Sequence, residues 1–438
     1  MKKSLAYNFV LLLFLAACGK KDTPPPVDTT LVVTAIAPST GKYGTVVTIT
    51  GKNFSTTAAD NTVKVNGVAA VVNSATATEL KIVIPPRAGN GAITVQTGTQ
   101  TATGPVWTHI FQPTVSTFAG SGTAGYADGT GTAAQFSFAS FSGICTDASG
   151  NVFVVDRGNN RIRKVTPAGV VTTVAGNGNF GYVDGPAATA EFKGPRGITI
   201  DAAGNLYIAD NGSHCIRKIS TAGVVSTFAG TGVNGFADGA GNVAQFLFPA
   251  SIVYDNTSGN LYVSDQNYRV RKISNTGTVT SIAGSGVSGF ADGTGTAAQI
   301  TLLDGMGIAS NGDVIAADPN NNRIRRITPA GTVTTYAGTG VSGEVNGPAA
   351  SAAFNFPQGL AIDAAGNVYT CQPFRNNIRI ISSSGVVASF AGSTLSGNAN
   401  GPGNIAEFNN PRAITCTSDG IIYVVDGSNE IIRKIIME

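Results

Sequence analysis

Residues 205–219 read NLYIADNGSHCIRKI. Asp210, His214 and Cys215 fall within six positions, a grouping that taken alone could hold a metal ion or an activated nucleophile. The phrase recurs, however, as NVFVVDRGNNRIRKV (151–165), NLYVSDQNYRVRKI (260–273), DVIAADPNNNRIRRI (313–327), NVYTCQPFRNNIRII (367–381) and IIYVVDGSNEIIRKI (421–435). The acidic position falls at Asp156, Asp210, Asp265, Asp318 and Asp426, with Gln372 in the fifth copy, at spacings of 54, 55, 53, 54 and 54 residues. His214 and Cys215 occur in one copy only. What repeats is an Asp followed about seven residues later by Arg163, Arg217, Arg271, Arg325 or Arg433. A feature present in nearly every unit belongs to the scaffold. Each carboxylate is therefore expected to cap a turn or to pair with an arginine of its own or a neighbouring unit, with the fifth copy departing at Gln372.

Each unit has one grammar. A short strand such as GITID reaches the turn AAGN, then LYIAD runs into a polar loop, CIRKI reaches the turn STAG, and VVSTFAG ends the unit. Alternating and β-branched residues between Gly, Asn and Asp turns are strand signals. Four antiparallel strands repeated radially make a β-propeller blade. PTVSTFAG (113–120) matches a fourth strand with no blade before it, and the last unit stops at IIRKIIME after its third. The N-terminal strand is thus expected to complete the sixth blade and leave no open edge.

The phrase D-x-x-N-x-R-I-R-K followed by G-x-V-x-T-x-A-G resembles the NHL repeat, over about three quarters of the chain. Between units run connectors such as AGTGVNGFADGAGNVAQF. They lack the acidic alternation and terminal Glu of a calcium loop, so their Asp-Gly reads as turn chemistry. Phe136, Phe192, Phe246, Phe354 and Phe408 read as packing plugs. Cys145, Cys215, Cys371 and Cys416 sit where their side chains cannot meet, and are expected as small buried hydrophobes without disulfides.

Strand order places the connectors and the loops after each Asp on one side, and loops on a rigid scaffold carry binding. Candidate ligand-binding residues are those that break the repeat there. They are Gln266, Asn267 and Tyr268 in unit three and Gln372, Phe374 and Arg375 in unit five. Arg196, Met306, Gln358 and Arg412 are expected to ring the central mouth. Units one and four carry two extra residues near Phe141 and Asp304.

Upstream, residues 31–111 do not repeat. Pro38, Gly41, Gly44, VTITGKNF, VKVNGVAA and LKIVIPP resemble an IPT/TIG domain, which implies an immunoglobulin-like β-sandwich acting as a spacer or binding module. Trp107, the only tryptophan, is expected to plug the junction with the propeller. The fold class is all-β: a sandwich (31–111) followed by a six-bladed propeller (112–438) closed by its N-terminal strand.

The chain begins MKKSLAYNFVLLLFLAAC. Two lysines, a short apolar run and small residues before a cut site describe a secretory signal over 1–17. LAAC resembles a bacterial lipobox, which implies lipid on Cys18. Residues 18–30 form a Pro-rich tether. The expected location is the cell envelope, as an outer-membrane lipoprotein, with the Lys-Lys-Asp after Cys18 hinting at surface exposure.

Residues 1–17 hold two of the 28 basic residues and no acid, leaving 26 basic against 25 acidic, so nucleic acid is not an expected partner. Some NHL-like propellers resemble zinc lyases built on several histidines, but this chain has only His109 and His214. No cofactor, metal or catalytic residue is expected. The reading is a non-enzymatic module whose long-loop face binds a glycan or an envelope protein; the alternative is a lyase or hydrolase using carboxylates on that face.

Overall fold

The structure, a computed structural model, describes residues 28–85, 88–139 and 141–438. The expected signal segment, Cys18 and the expected tether up to residue 27 lie outside them. The chain divides into two compact units, residues 1–110 and 111–438. Among the described residues there is no α-helix, and none of the helical turns is long and apolar enough to cross a membrane.

In the first unit, Val46–Lys52 buries Val47 and Ile49, and Asn61–Val65 buries Val63 and Val65, the period-two pattern of strands with one wet face. Val32–Ala37, Val46–Lys52, Glu79–Val83, Val68–Ala75, Asn61–Val65, Gly91–Thr97 and Gln100–His109 are hydrogen-bonded in that order, Val68–Ala75 pairing on both sides and so joining the two layers of the sandwich. Both inner faces feed one core that includes Leu80, Ile82, Ile93, Val95 and Trp107. Trp107 is fully buried there, so the expected junction plug is instead a core residue of the sandwich.

In the second unit the six repeats become six blades. Blade two is typical, with antiparallel strands Gly197–Ile200, Leu206–Asp210, Cys215–Ile219 and Val224–Ala229 from the axis outward. The connector adds Gly185–Pro186 outside the fourth strand, which covers that edge. The innermost strands neighbour one another around a closed ring. Pro113–Ala119 pairs with Ile431–Met437 in the sixth blade, as the sequence implies. Gln112 and Glu438 extend that seam, each backbone N–H donating to the other's carbonyl at 2.8 and 2.9 Å.

The apolar cores lie between blades. Phe136, Phe192, Phe246, Phe354 and Phe408 are fully buried in them, with Ile300 in the equivalent place before blade four. All four described cysteines are free, and burial pushes the Cys145, Cys215, Cys371 and Cys416 thiols up, Cys416 to about 12.

The repeated Asp does pair with the arginine of its own blade. Arg163, Arg217, Arg271, Arg325 and Arg433 donate to Asp156, Asp210, Asp265, Asp318 and Asp426 at 2.7 to 3.3 Å, all fully buried. Each guanidinium also reaches the connector. It donates to two carbonyls there, in blade one those of Gln135 and Ala127. It also meets the connector's Asp-Gly residue: Asp128, Asp184, Asp238 or Asp292, with Asn400 in blade six. The connector aspartates are thus clamps for buried arginines as well as turn residues. Blade five departs as a set. Arg379, unremarked in the sequence, is fully buried and donates to Asn346 at 2.6 Å, while Gln372 turns to Asn377 and the Asn355 N–H.

Candidate functional site

The long-loop side gathers one residue from the entry of each inner strand. Ser142, Arg196, Ala250, Asp304, Gln358 and Arg412 fall 54 residues apart, one per blade. In four blades a glycine follows and lets neighbouring inner strands close up. A Cβ on Gly197 would stand 2.5 Å from the Ala250 carbonyl oxygen, and one on Gly359 2.6 Å from that of Arg412. Behind this ring the inner strands enclose a cavity of about 350 Å³, within the range of small-molecule sites.

Four members of the ring are joined. Arg196 reaches past the small Ala250 of blade three and donates from Nη2 to Asp304 Oδ1. Gln358 Nε2 donates to Asp304 Oδ2 at 3.0 Å, and Arg412 Nη1 donates to Gln358 Oε1 at 2.9 Å. Phe141 closes the circuit from blade one, its ring centre 3.9 Å from the Arg196 guanidinium and 5.3 Å from that of Arg412. Arg157, on the loop after Asp156, lies 6.0 Å from the same ring centre.

Burial sets the electrostatics. It pushes the Asp304 carboxyl up, opposed by Arg196, Gln358 and Arg412. It pushes the guanidiniums of Arg157, Arg196 and Arg412 down; Arg196 adds repulsion at the other two, and Asp304 opposes the shift at Arg196 and Arg412. All three arginines nonetheless stay charged at ordinary pH. Both Asp304 oxygens accept strong donors, which ties up the lone pairs a general base would use.

Arg196, Asp304, Gln358 and Arg412 therefore converge, as expected of a mouth. Met306 is not a member of the ring. It sits two positions further in, 7% exposed, packed in the core between blades three and four and along the lining of the cavity behind the ring. Asp304 holds the ring position. Arg157 was missed in the sequence. Its signal was a charge in a loop position that holds Asn211, Gln266, Pro319, Pro373 or Gly427 in other copies.

The other candidates stand apart on their own loops. Gln266 and Arg375 are exposed, and Phe374 is 64% exposed beside Phe356 at 5.0 Å. Asn267 is structural: its amide donates to the Gly235 carbonyl and to Asp265, as Asn159, Asn321 and Asn429 do in their blades. Gln372 is fully buried, committed to its own blade and, unlike Gln358, does not line the cavity.

His214 and Tyr268 occupy one repeated position. Asn160, His214, Tyr268, Asn322, Asn376 and Glu430 all have φ between 49° and 53°. Five of them accept a backbone N–H from the connector that enters the next blade: Gly194 to Asn160, Phe248 to His214 Nδ1, Phe356 to Asn322, Asn410 to Asn376 and Phe138 to Glu430. Burial, then Lys193, pushes the His214 imidazole down, which keeps Nδ1 an acceptor. His214 is thus an inter-blade latch, with Nδ1 engaged and no cluster of metal ligands around it among the described residues. Tyr268 alone makes no such bond.

Residues 31–110 match the IPT/TIG domain, and residues 192–219 match the NHL repeat. The chain joins an IPT/TIG domain to an NHL-repeat propeller. It is 28% identical over 283 residues to the chloroplastic protein SUPPRESSOR OF QUENCHING 1 of Arabidopsis thaliana, covering 60% of this chain and 26% of that protein. The chain thus spans about a quarter of that relative's length. Among solved structures, an auxiliary nutrient binding protein from Bacteroides ovatus superposes with a TM-score of 0.68 at 16% identity, over 94% of this chain and 99% of that one. A putative phosphatase from Bacteroides thetaiotaomicron superposes with a TM-score of 0.58 at 16% identity, over 93% and 97%. At these identities the likeness is one of fold, and the fold is shared by proteins described as binders and as enzymes.

Proposed function

We propose that this chain is a non-enzymatic cell-envelope lipoprotein whose NHL propeller binds a ligand at the long-loop mouth, a glycan before a protein partner. The observation that carries the reading is the mouth itself: a cavity rimmed by fixed hydrogen-bond donors, whose only carboxylate among the described residues, Asp304, is already engaged at both oxygens. Such a rim orients a polar ligand and offers no free base for the alternative carboxylate chemistry. The similarity in fold to a nutrient binding protein supports the same reading.

Binding of residues 28–438 to a panel of polysaccharides, by affinity electrophoresis, tests the ligand class. Retardation by a glycan that Gln358→Ala abolishes supports it, and turnover of any panel member would favour the enzyme alternative. Anchoring is tested separately. Wild-type cells labelled with a radioactive fatty acid should mark the protein, and Cys18→Ser should remove the label and release the protein from the membrane fraction.

A further inference from the structure

Three guanidinium groups surround one phenyl ring at the mouth, and one carboxylate faces them. Arg196 is held by Asp304. Arg412 gives one N–H to Gln358, and its Nε is buried with no partner. The Arg157 guanidinium makes no hydrogen bond to any described residue, its backbone carbonyl alone accepting the Asn160 N–H at 3.1 Å. Like charges gathered at this range repel, and an anion among them removes the penalty. Arginine's planar fork of donors matches an oxyanion with two oxygens in reach.

The neighbouring surface adds a second element. Gly194 separates Arg157 from Phe180: a Cβ there would stand 3.6 Å from Arg157 Nη2 and 3.7 Å from Phe180 Cε2. Phe180 is 66% exposed, with the Lys193 ammonium 5.7 Å from its ring centre, so an unbonded guanidinium and a second cation border an exposed aromatic ring. An aromatic ring beside charged donors suits a ring with an apolar C–H face and a charged substituent. The equivalent loop positions in the other five blades carry no charge, so the arrangement is particular to the blade one–two side of the mouth.

We propose that the mouth takes an oxyanion-bearing saccharide, a sugar ring carrying a carboxylate or a sulfate ester. This rests on the glycan-binding reading above. Arg157 and Arg412 donate to the oxyanion, Phe180 packs on the sugar face, and Arg196, held by Asp304, positions Phe141 beneath the charge.

The test is titration calorimetry of residues 28–438 with an oligogalacturonide, a sulfated galactan oligosaccharide, a neutral galactan oligosaccharide and inorganic sulfate. At least one acidic saccharide should bind, and binding should weaken as salt rises. Arg157→Gln and Arg412→Gln should each weaken it by roughly tenfold or more, the effect of losing a hydrogen bond to a charged group. Arg375→Gln removes the same charge on another loop and should change affinity less than about twofold. Thermal melts at the wild-type temperature show that the variants fold, and the Arg157 side chain has no internal hydrogen bond to lose. The carboxylate and sulfate arms decide which oxyanion is read. Equal binding of the neutral saccharide, or acidic binding that survives the Arg157→Gln/Arg412→Gln pair, overturns this inference and leaves the glycan reading standing. Binding of inorganic sulfate alone overturns the saccharide. Binding of nothing overturns both.

Discussion

The strongest single-residue determinant of this propeller is the buried arginine of each blade. In blades one to four it meets a carboxylate on each side, one in its own blade and one in the connector. Removing one partner of a buried pair strands the other charge and costs about 3–5 kcal/mol. Arg217→Met should therefore lower stability to urea by about that much. Arg379→Met strands no carboxylate bonded to it and should cost clearly less; equal losses in the two variants would contradict the role given to the pair. The pairing was legible as an Asp and an Arg at fixed spacing. The connector's share was not, because Asp128 and Arg163 lie 35 residues apart and meet only once the fourth strand is covered. The thiols give a second check. Cys145, Cys215 and Cys371 are buried and Cys416, against expectation, half-buried; with all four thiols raised in pKa they should stay unreactive to a disulfide reagent at pH 8 and react after denaturation.

Between elements, the latch at the third-strand entrance couples each blade to the next. Its αL backbone suits Asn, which stands there in three blades, and strains Tyr268. Tyr268→Asn should relieve that strain and offer an acceptor to the Leu302 N–H, raising stability by about 1 kcal/mol in chemical unfolding; an unchanged or lower midpoint would argue against the latch. Closure is the other coupling. A chain beginning at residue 121 leaves Ile431–Met437 as an open edge. It should aggregate or lose its cooperative transition, and a peptide of residues 112–120 should restore it. Strand grammar and closure were legible because period-two patterning and turn residues are local. Trp107 was misplaced because nearness in sequence to a junction says nothing about which way a strand turns its side chains: at 107 it points into the sandwich.

For the whole molecule, the question is which end of the channel works. The 54-residue interval alone would have selected Ser142, Arg196, Ala250, Asp304, Gln358 and Arg412. Departure from the repeat selects Arg196, Asp304, Gln358 and Arg412, which the structure brings together, but also Met306, which packs in an inter-blade core, and the buried Gln372, and it does not select Arg157. Repeat-breaking marks where selection or drift has acted, but only the fold says whether a side chain faces ligand or core. Recognition is proposed at the long-loop mouth, with the short turns of the opposite end serving as scaffold.

The most direct measurement is hydrogen exchange, read by mass spectrometry, on residues 28–438 with and without a saturating acidic oligosaccharide, an oligogalacturonide. Added protection at 141–143, 157–160, 194–197, 358–359 and 412–413, with the short turns at 147–151 and 201–205 unchanged, is the predicted result. Protection confined to those short turns, or to the sandwich at 31–110, would contradict it.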